Sequence, residues 1–266
     1  MTRTYVVTGS ASGIGATTAQ ILRDKGEKVI GIDLRNADVE ADLSTTEGRV
    51  DAAAKAAELA GGTIDAVIAC AGISAPIPAT ISVNYFGVVE LLDALLPALK
   101  SSDAPRAAVV SSMASLQPNS PEMVEAALAG DEATAREIAQ KLADQGPQVG
   151  YLVYPSSKRA LSRWVRRASI SADYAGNGIP LNAVAPGTVV TPMTEGLLST
   201  PEGAKMVDAA VPMPLNYHQP PESIANLLIW LTSVENTHLA GQVIYDDGGA
   251  DATLRGDDIW SWNDAK

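Results

Sequence analysis

The sequence has few of the residues that build metal sites and disulfides. Its 266 residues include one cysteine and two histidines. Cys70 has no second cysteine to pair with, and no base lies near it along the chain, which predicts a small apolar filler rather than a nucleophile. His218 and His238 are too far apart in the sequence to form a metal-ligand cluster. We therefore expect neither an internal disulfide nor zinc chemistry.

Long apolar runs and an excess of basic residues are also missing. No stretch approaches the ~18 consecutive apolar residues that a membrane span requires. The N-terminal segment MTRTYVVTG leads directly into a strand, without the pattern of a secretory signal, so we expect a cytoplasmic protein. There are 19 Lys and Arg against 31 Asp and Glu, a net charge of -12. Because nucleic acids and anionic membranes bind clustered basic residues, we expect no nucleic-acid or membrane partner.

What the sequence does contain is a regular alternation of short β-branched runs and longer Ala-rich helical patterns. The β-branched runs are continuously apolar, as in strands buried on both faces of a parallel sheet. Without a repeat or a linker, residues 1–266 are predicted to form one α/β domain, a doubly wound parallel sheet of the Rossmann type. The predicted strands are 4–8, 28–33, 64–70, 106–112, 179–185 and 241–246, and the predicted helices are 13–25, 45–60, 79–99, 153–175 and 221–233.

A glycine-rich turn, TGSASGIG, follows the first predicted strand. Gly9, Gly13 and Gly15 allow a tight turn and a close backbone approach, and the following helix offers free N–H groups to a pyrophosphate. The spacing is GxxxGxG rather than GxGxxG, and a plain strand-to-helix turn is the alternative. However, the second strand ends in Asp33, where a carboxylate can bind the hydroxyls of an adenosine ribose. Together the two features predict a dinucleotide site.

The residues around Asp33 also bear on the choice of dinucleotide. A carboxylate at this position repels the 2′-phosphate of NADP and so favours NAD. Arg35 is the counterargument, because a guanidinium two residues further on can pair with that phosphate. We give the carboxylate more weight and predict NAD as the cofactor.

The segment YPSSK places a phenol and an ammonium one turn apart on a predicted helix. Tyr154 and Lys158 are at positions i and i+4, so their side chains can reach a common point. A solvated helix face is the alternative, and Arg159, Arg163 and their neighbours show that this helix has one. The pair lies at the helix start beside the carboxyl edge of the sheet, which favours chemistry. Free tyrosine has a pKa near 10, so we expect Lys158, together with a bound nicotinamide, to lower the pKa of Tyr154.

Five further motifs join the glycine turn TGSASGIG and YPSSK: ADLS (41–44), CAG (70–72), SVNYFG (82–87), VVSSMAS (109–115) and APGTVVTPM (185–193). Each is weak alone, but together and in this order they resemble the short-chain dehydrogenase/reductase family over nearly the whole chain. Three of them, ADLS within EADLST, CAG and SVNYFG, with GIDLR and a long insertion before the tyrosine, also resemble the bacterial branch of the family that acts on 3α-hydroxysteroids and other carbonyl compounds.

The resemblance implies roles for individual residues. Tyr154 is the predicted acid or base, with Lys158 as its charged partner. Ser112 is the predicted donor to the substrate oxygen, with Ser111 and Ser115 as competing candidates, and Asn84 is predicted to hold a water in a proton relay from Lys158. The predicted cofactor-binding residues are Gly9, Ser12, Gly13, Ile14, Gly15, Asp33, Leu34, Asp42, Leu43, Cys70, Ala71, Gly72, Tyr154, Lys158, Pro186, Gly187, Val189 and Thr191.

The predicted activity is an NAD(H)-dependent interconversion of a secondary alcohol and a ketone. A bulky cyclic or aromatic substrate is expected: a hydroxysteroid, an aryl alcohol or an aromatic amino alcohol. A homodimer or homotetramer is the expected assembly. The alternative is a non-catalytic NAD-binding regulatory or scaffold protein of the same fold.

Two regions depart from the family pattern. The chain between Asp33 and Asp42 is too short for a helix, which predicts a trimmed sheet edge and an open adenine end. Residues 116–147 form an insertion, read as two short helices joined at 129–130, which either walls the substrate pocket or alters subunit association. Residues 192–219 are the predicted substrate lid. The tail 258–264 carries tryptophans that cover a pocket or contact another subunit.

Overall fold

The computed structural model describes residues 2–215 and 217–263 as seven parallel strands with helices on both faces. Asn216 of the predicted lid and Asp264 of the predicted tail lie outside the described residues. The strand order is β3-β2-β1-β4-β5-β6-β7. The strands are β1 (Thr4–Thr8), β2 (Lys28–Asp33), β3 (Val39–Glu40), β4 (Ala66–Ala69), β5 (Arg106–Val110), β6 (Leu181–Pro186) and β7 (Val243–Asp246).

The direction of winding reverses between β1 and β4. From β1 the chain builds outward through β2 and β3, then crosses back to place β4 on the other side of β1. Thr8, at the end of β1, is in register with Ile32 of β2 and Ala69 of β4. The loops that follow these strands therefore diverge and leave a crevice at the carboxyl edge, where ligands of such sheets bind.

Helices cover the sheet in two layers. Apolar residues of α2, α4 and α8 pack on one face, and those of α1 and α11 pack on the other. Val6 points into the first layer, whereas Tyr5 and Val7 point into the second, because successive side chains of a strand alternate. The helices are α1 (Gly13–Asp24), α2 (Thr46–Ala60), α3 (Ala79–Ile81), α4 (Gly87–Lys100), α5 (Pro121–Leu128), α6 (Glu132–Ala143), α7 (Pro147–Gly150), α8 (Val153–Ala168), α9 (Pro192–Leu198), α10 (Pro201–Ala210), α11 (Pro221–Leu231) and α12 (Ala250–Arg255).

A π turn, Ser82–Phe86, joins α3 and α4 into one long helix. This helix, Ala79–Lys100, is long and apolar enough to cross a membrane by length and composition. Its most apolar window is 67% buried inside the protein, and its leucines, including Leu91, Leu92 and Leu95, belong to the core. Packing against α2 and α8 therefore accounts for its apolar character.

The predicted fold class is confirmed, with differences at element ends. The sheet edge after Asp33 is trimmed as predicted, but a two-residue strand, β3, still pairs there. Ser111 and Ser112 lie beyond β5 rather than in it, and α8 ends at Ala168 rather than at residue 175. In each case the predicted β-branched or helical pattern continues past the last backbone pairing, so periodicity alone misplaces the boundary.

The insertion contains the two predicted helices, α5 and α6, joined through Ala129, Gly130 and Asp131. Gly130 has φ +78°, a left-handed turn that suits glycine. Helix α5 packs along α8, and α6 packs against α3, α8 and the π turn. No residue of 116–147 lines the large cleft at the carboxyl edge. The insertion thus braces the helices behind that cleft.

Candidate active site

A cleft of about 370 Å³ opens at the carboxyl edge of the sheet, above the point where the winding reverses. Every predicted cofactor-binding residue lines it, and so does Ser112. Asn84 does not, although the adjacent Val83 does. The cleft is also lined by residues that were not among the predicted cofactor-binding or catalytic residues, most of them within the same motifs: Ala41, Ile73, Val83, Val110, Pro192, Met193 and Thr194. The competing candidate Ser111 lines it too.

The glycine turn forms one wall of this cleft from backbone alone. Gly9 has φ +67°, and a Cβ placed on it would lie 2.9 Å from the backbone nitrogen of Ala71. A Cβ on Gly15 would lie 2.6 Å from the carbonyl carbon of Gly9, well inside van der Waals contact. Helix α1 begins at Gly13, and its N-cap residue makes no side-chain cap hydrogen bond. The turn is therefore a cradle that side chains would fill, with free helix N–H groups beside it, and it fits a dinucleotide pyrophosphate.

Asp33 fixes a negative charge at the far end of the same wall. Its carboxylate accepts hydrogen bonds from the backbone N–H groups of Ala11 (3.0 Å) and Leu34 (2.7 Å). The bond from Ala11 ties the end of β2 to the glycine turn. Arg35 is exposed and does not line the cleft, whereas Asp33 does.

Tyr154 and Lys158 project from the first turns of α8 into the cleft. Lys158 is buried, and its Nζ lies 5.9 Å from the centroid of the Tyr154 ring. Nζ donates a hydrogen bond of 2.8 Å to the carbonyl oxygen of Val110. Burial lowers the pKa of Lys158 to about 8, while the nearby Cys70 acts in the opposite direction. The spacing of four residues does bring the two groups together, as predicted.

The expected lowering of the Tyr154 pKa requires the bound nicotinamide as well as Lys158, and it stays a prediction. In the ligand-free protein burial raises the pKa of this phenol above its ordinary value, and the neighbouring Ser112 only partly offsets that effect. Lys158, whose ammonium donates to the Val110 carbonyl, is not among the causes of this pKa shift. Desolvation, which sequence spacing does not report, thus outweighs the neighbouring charge.

The three candidate serines point in different directions. Ser112 lines the cleft with Tyr154 and lowers the pKa of its phenol, and its Oγ accepts a bond of 3.1 Å from the backbone N–H of Ala114. Ser111 Oγ instead donates to the carbonyl of Lys158, 3.2 Å away, on the inner side of α8. Ser115 Oγ pairs with the Tyr245 hydroxyl at 3.1 Å. Of the three serines, Ser112 is therefore the one whose side chain acts on the Tyr154 phenol.

Asn84 lies behind the cleft, within the π turn. Its Oδ1 accepts a 2.9 Å bond from the Ile73 N–H, and its Nδ2 donates to the Ile73 carbonyl and to Ser157 Oγ. A Cβ placed on Gly72 would lie 3.2 Å from Asn84 Oδ1 and 3.5 Å from Lys158 Nζ. Because Gly72 has no side chain, the space between Asn84 Oδ1 and Lys158 Nζ is not filled by a Cβ. The predicted relay water stays a prediction.

One residue that sequence reasoning missed, Gln219, holds the loop after β6. Its backbone pairs with Thr188 and Val190, and its Oε1 accepts a 3.1 Å bond from the N–H of Gly187. Its Nε2 donates to Asp246 at the end of β7. Gln219 ends the predicted lid, far along the chain from this loop, so no local motif connects the two.

The two C-terminal tryptophans do not cover this cleft. Trp260 and Trp262 are exposed and do not line it. The expectation that the tail covers a pocket is therefore not met at this site. The expectation of a subunit contact stays a prediction.

Comparison with known proteins extends what the geometry indicates. The profile described as short chain dehydrogenase matches residues 3–146, and that described as Enoyl-(Acyl carrier protein) reductase matches residues 147–251. A 3-alpha-hydroxysteroid dehydrogenase/carbonyl reductase from Comamonas testosteroni is 39% identical over 258 residues, covering 94% of this chain and 97% of that protein. A cis-4-hydroxycyclohexanecarboxylate dehydrogenase from Sinomonas cyclohexanicum is 30% identical over 266 residues, covering 93% and 96%.

A solved structure of a 3-alpha-hydroxysteroid dehydrogenase is also similar to this chain. The 3-alpha-hydroxysteroid dehydrogenase from Pseudomonas sp. B-0831, crystallised with NADH, matches with a TM-score of 0.88 at 40% identity, covering 96% of this chain and 100% of that one. Fold and site thus define an oxidoreductase with an NAD-binding Rossmann fold, acting on a hydroxyl or carbonyl group. The chain belongs to the short-chain dehydrogenase/reductase family. The predicted family and its hydroxysteroid branch are confirmed.

Burial of Lys158 has a measurable consequence for pH dependence. In the folded, ligand-free protein its pKa is about 8, whereas the ordinary lysine value is 10.5. Between these values the unfolded chain binds more protons than the folded one, so this residue's contribution to the free energy of unfolding rises with pH across that window. We expect one ¹³Cε lysine resonance, missing from the spectrum of Lys158→Arg, to titrate near pH 8. Titration of that resonance near pH 10 would show that burial does not lower the pKa of Lys158.

Proposed function

We propose that this protein is an NAD(H)-dependent dehydrogenase/reductase that interconverts a secondary alcohol and a ketone on a bulky cyclic substrate. The observation that carries the proposal is the convergence of Ser112, Tyr154 and Lys158 in a cleft that also contains the glycine cradle and Asp33. A phenol, a hydroxyl donor and a buried ammonium beside a dinucleotide cradle are the groups that proton transfer at a carbinol carbon requires.

In this proposal NAD supplies the hydride chemistry when bound, and the chain's own residues manage the proton. For ketone reduction Tyr154 donates its phenolic proton to the substrate oxygen. Its raised pKa keeps it protonated at neutral pH in the ligand-free protein, as this role needs. Ser112, which lines the cleft beside the same phenol, donates to that oxygen and stabilises the charge that develops on it.

For alcohol oxidation the same phenol has to act as a base. Lys158 is then needed as a cation, because a nearby positive charge stabilises the phenolate. Its Nζ already lies inside the cleft, 5.9 Å from the ring centroid. Gly72 leaves room between Nζ and Asn84 Oδ1, and in this proposal a water held there by Asn84 takes the proton from Lys158 on toward solvent. A guanidinium in place of Lys158 would keep the charge but could not pass a proton on.

Asp33 supports NAD over NADP. Two backbone N–H groups hold its carboxylate in place, so it cannot swing away from an incoming 2′-phosphate without losing both bonds. Arg35, the one residue nearby that argued for NADP, is exposed and outside the cleft lining. The Asp33 carboxylate therefore repels a 2′-phosphate in the cleft, and Arg35 does not line the cleft to offset that repulsion.

We expect Asp33→Asn to weaken the preference for NAD. Removing one charge near a phosphate changes the interaction by about 1–2 kcal/mol, or roughly tenfold in relative kcat/KM. The ratio of kcat/KM for NAD to that for NADP measures the effect. Asp24→Asn, an exposed site on α1, is the matched control and should leave the ratio unchanged. If the ratio is the same in Asp33→Asn as in the native protein, Asp33 does not set the preference.

The substrate class rests on the apolar rim of the cleft and on the relatives. Ile73, Val189, Pro192 and Met193 line the cleft with apolar surface. The enzymes named above act, by their names, on a steroid and on a substituted cyclohexane, both of them ring-bearing secondary alcohols. We therefore propose hydroxysteroids and other cyclic or aryl alcohols, aromatic amino alcohols included, as the substrate panel.

The direct test mixes the purified protein with NAD and this panel and follows the absorbance of reduced nicotinamide. Turnover of cyclic secondary alcohols, exceeding that of short linear ones, is expected. Binding of NADH without turnover of any alcohol or ketone would instead support a non-catalytic NAD-binding protein. A homodimer or homotetramer is also proposed, and light scattering after size exclusion measures it.

A further inference from the structure

The largest fully buried side chain of the described residues is a charged one, Arg49 of α2. Arginine is almost never fully buried without partners, because removing its charge from water is costly. Two of its partners are acidic. Arg49 Nη1 lies 2.9 Å from Glu90 of α4, and both guanidinium ends contact Glu132, at 2.7 and 2.8 Å. The pair with Glu132 is therefore bidentate, whereas Glu90 makes a single contact.

Glu132 belongs to the insertion. It is the first residue of α6, and its side chain is 21% exposed, whereas that of Arg49 is not exposed at all. Burial alone would raise the pKa of the Glu132 carboxyl, yet the Arg49 guanidinium and neighbouring donors hold it below its ordinary value. Glu132 is thus ionised and forms a charge-assisted pair with Arg49.

The remaining hydrogen bonds of Arg49 reach two parts of the proposed active site. Its Nε donates to the Leu43 carbonyl at 2.8 Å and its Nη2 to the Ser44 carbonyl at 3.2 Å. Leu43 and the adjacent Asp42 line the cleft. Arg49 therefore fixes the backbone of the loop that follows β3.

The second target of Arg49 is the π turn. Its Nη2 donates to the Ser82 carbonyl at 3.3 Å, and Ser82 Oγ receives a separate bond of 2.7 Å from Arg136 of the insertion. Ser82 begins the turn that carries Asn84. Because π turns depart from regular helical hydrogen bonding, their shape depends on such outside contacts. The insertion thus holds Ser82 at two atoms, one directly and one through Arg49.

We propose that Glu132 is a positioning residue of the insertion which, through Arg49, sets the cofactor-binding loop at 42–44 and the π turn that carries Asn84. The inference rests on the proposed function and assigns the insertion a part in it. Without the Glu132 charge, the acidic partner that Arg49 retains is Glu90, whose side chain is 38% exposed, and the guanidinium is drawn away from the backbone carbonyls toward it. The loop at 42–44 and the π turn then both lose Arg49 as a fixed hydrogen-bond donor.

The test compares three variants of the full chain. Glu132→Gln removes the charge at Arg49. Glu137→Gln, on the same helix, removes a carboxylate whose pair with Lys141 is exposed, and serves as the matched control. Arg136→Gln removes the direct contact with Ser82 and leaves Arg49 paired. The melting temperature of each variant is measured first. Calorimetric affinity for ADP-ribose, kcat and KM are then measured well below it.

We expect Glu132→Gln to bind ADP-ribose about tenfold more weakly and to lose about tenfold in kcat, with KM for the alcohol unchanged. Arg136→Gln should lose kcat while keeping ADP-ribose affinity, and Glu137→Gln should match the native protein. A lower melting temperature with native ADP-ribose affinity and kcat would mean a merely structural role and would overturn the proposal. If Glu132→Gln does not fold, Arg49→Lys, which keeps the charge but cannot contact Glu132 and the backbone carbonyls at once, takes its place, and native ADP-ribose affinity and kcat in that variant overturn the proposal.

These outcomes are separable from the failure of the proposed function. If the native protein binds ADP-ribose but turns over no alcohol or ketone, the proposed activity is wrong. The ADP-ribose affinities of Glu132→Gln and the native protein still test whether Glu132 sets the loop at 42–44. If the native protein is active and Glu132→Gln behaves like Glu137→Gln, the positioning inference alone is wrong.

Discussion

Replacing Tyr154 by phenylalanine is expected to lower kcat by about a thousandfold or more, because general acid–base catalysis contributes effects of that order. The substitution removes only the phenolic oxygen, on whose pKa Ser112 acts, and leaves a ring of the same shape half-buried in α8. NADH affinity should stay within about threefold of the native value, since one hydrogen bond at most is lost. Steady-state turnover and NADH fluorescence titration provide the two measurements.

A neighbouring phenol supplies the control for this experiment. Tyr151 is three residues earlier, and its hydroxyl donates to Gln117 Oε1 at 2.9 Å rather than to a group of the cleft. Tyr151→Phe should therefore retain turnover. Native kcat in Tyr154→Phe would refute the proposed chemistry, and loss of NADH binding in that variant would show that the phenol serves the cofactor instead.

Replacing Gly15 by alanine should produce the second largest effect. The added methyl overlaps the carbonyl of Gly9 and lies 2.9 Å from that of Thr8, and neither backbone group can rotate away. Overpacking of this kind costs about 1–3 kcal/mol and displaces the turn, so we expect NADH affinity to fall by roughly a hundredfold. Fluorescence titration with NADH measures the affinity, and circular dichroism establishes that the variant is folded.

Gly176 provides the matched comparison. It lies in the exposed turn Ala175–Asn177, away from the cleft, and an added Cβ would meet its neighbour at an ordinary 3.6 Å. Gly176→Ala should bind NADH as the native protein does. A folded Gly15→Ala variant with native NADH affinity would show that the glycine turn is only a strand-to-helix connection, the alternative left open by its unusual spacing.

Residues that follow directly after strands could be placed from the sequence. In a parallel sheet all such positions meet at one edge, so the glycine turn after β1, Asp33 at the end of β2 and Ser112 after β5 need no tertiary information to be brought together. The spacing of Tyr154 and Lys158 is likewise local, because a helix places positions i and i+4 on the same face.

Contacts between distant segments could not be placed in this way. Gln219 reaches Gly187 across 32 positions, and Arg49 reaches Glu132 across 83. Such pairs leave no periodic pattern in the sequence. The sequence predicts the two helices of the insertion because helix formation is local, but the face on which they pack depends on how the whole chain folds.

The sequence by itself determined the fold class, the family and the residues gathered at the carboxyl edge, since each follows from local pattern and from the geometry of parallel strands. Only the tertiary structure decided the electrostatics of that edge. In the ligand-free protein burial raises the pKa of Tyr154 and lowers that of Lys158, neither of which their spacing predicts. The physical reason is that desolvation depends on every segment packed around a group, whereas spacing reports only its neighbours along one helix.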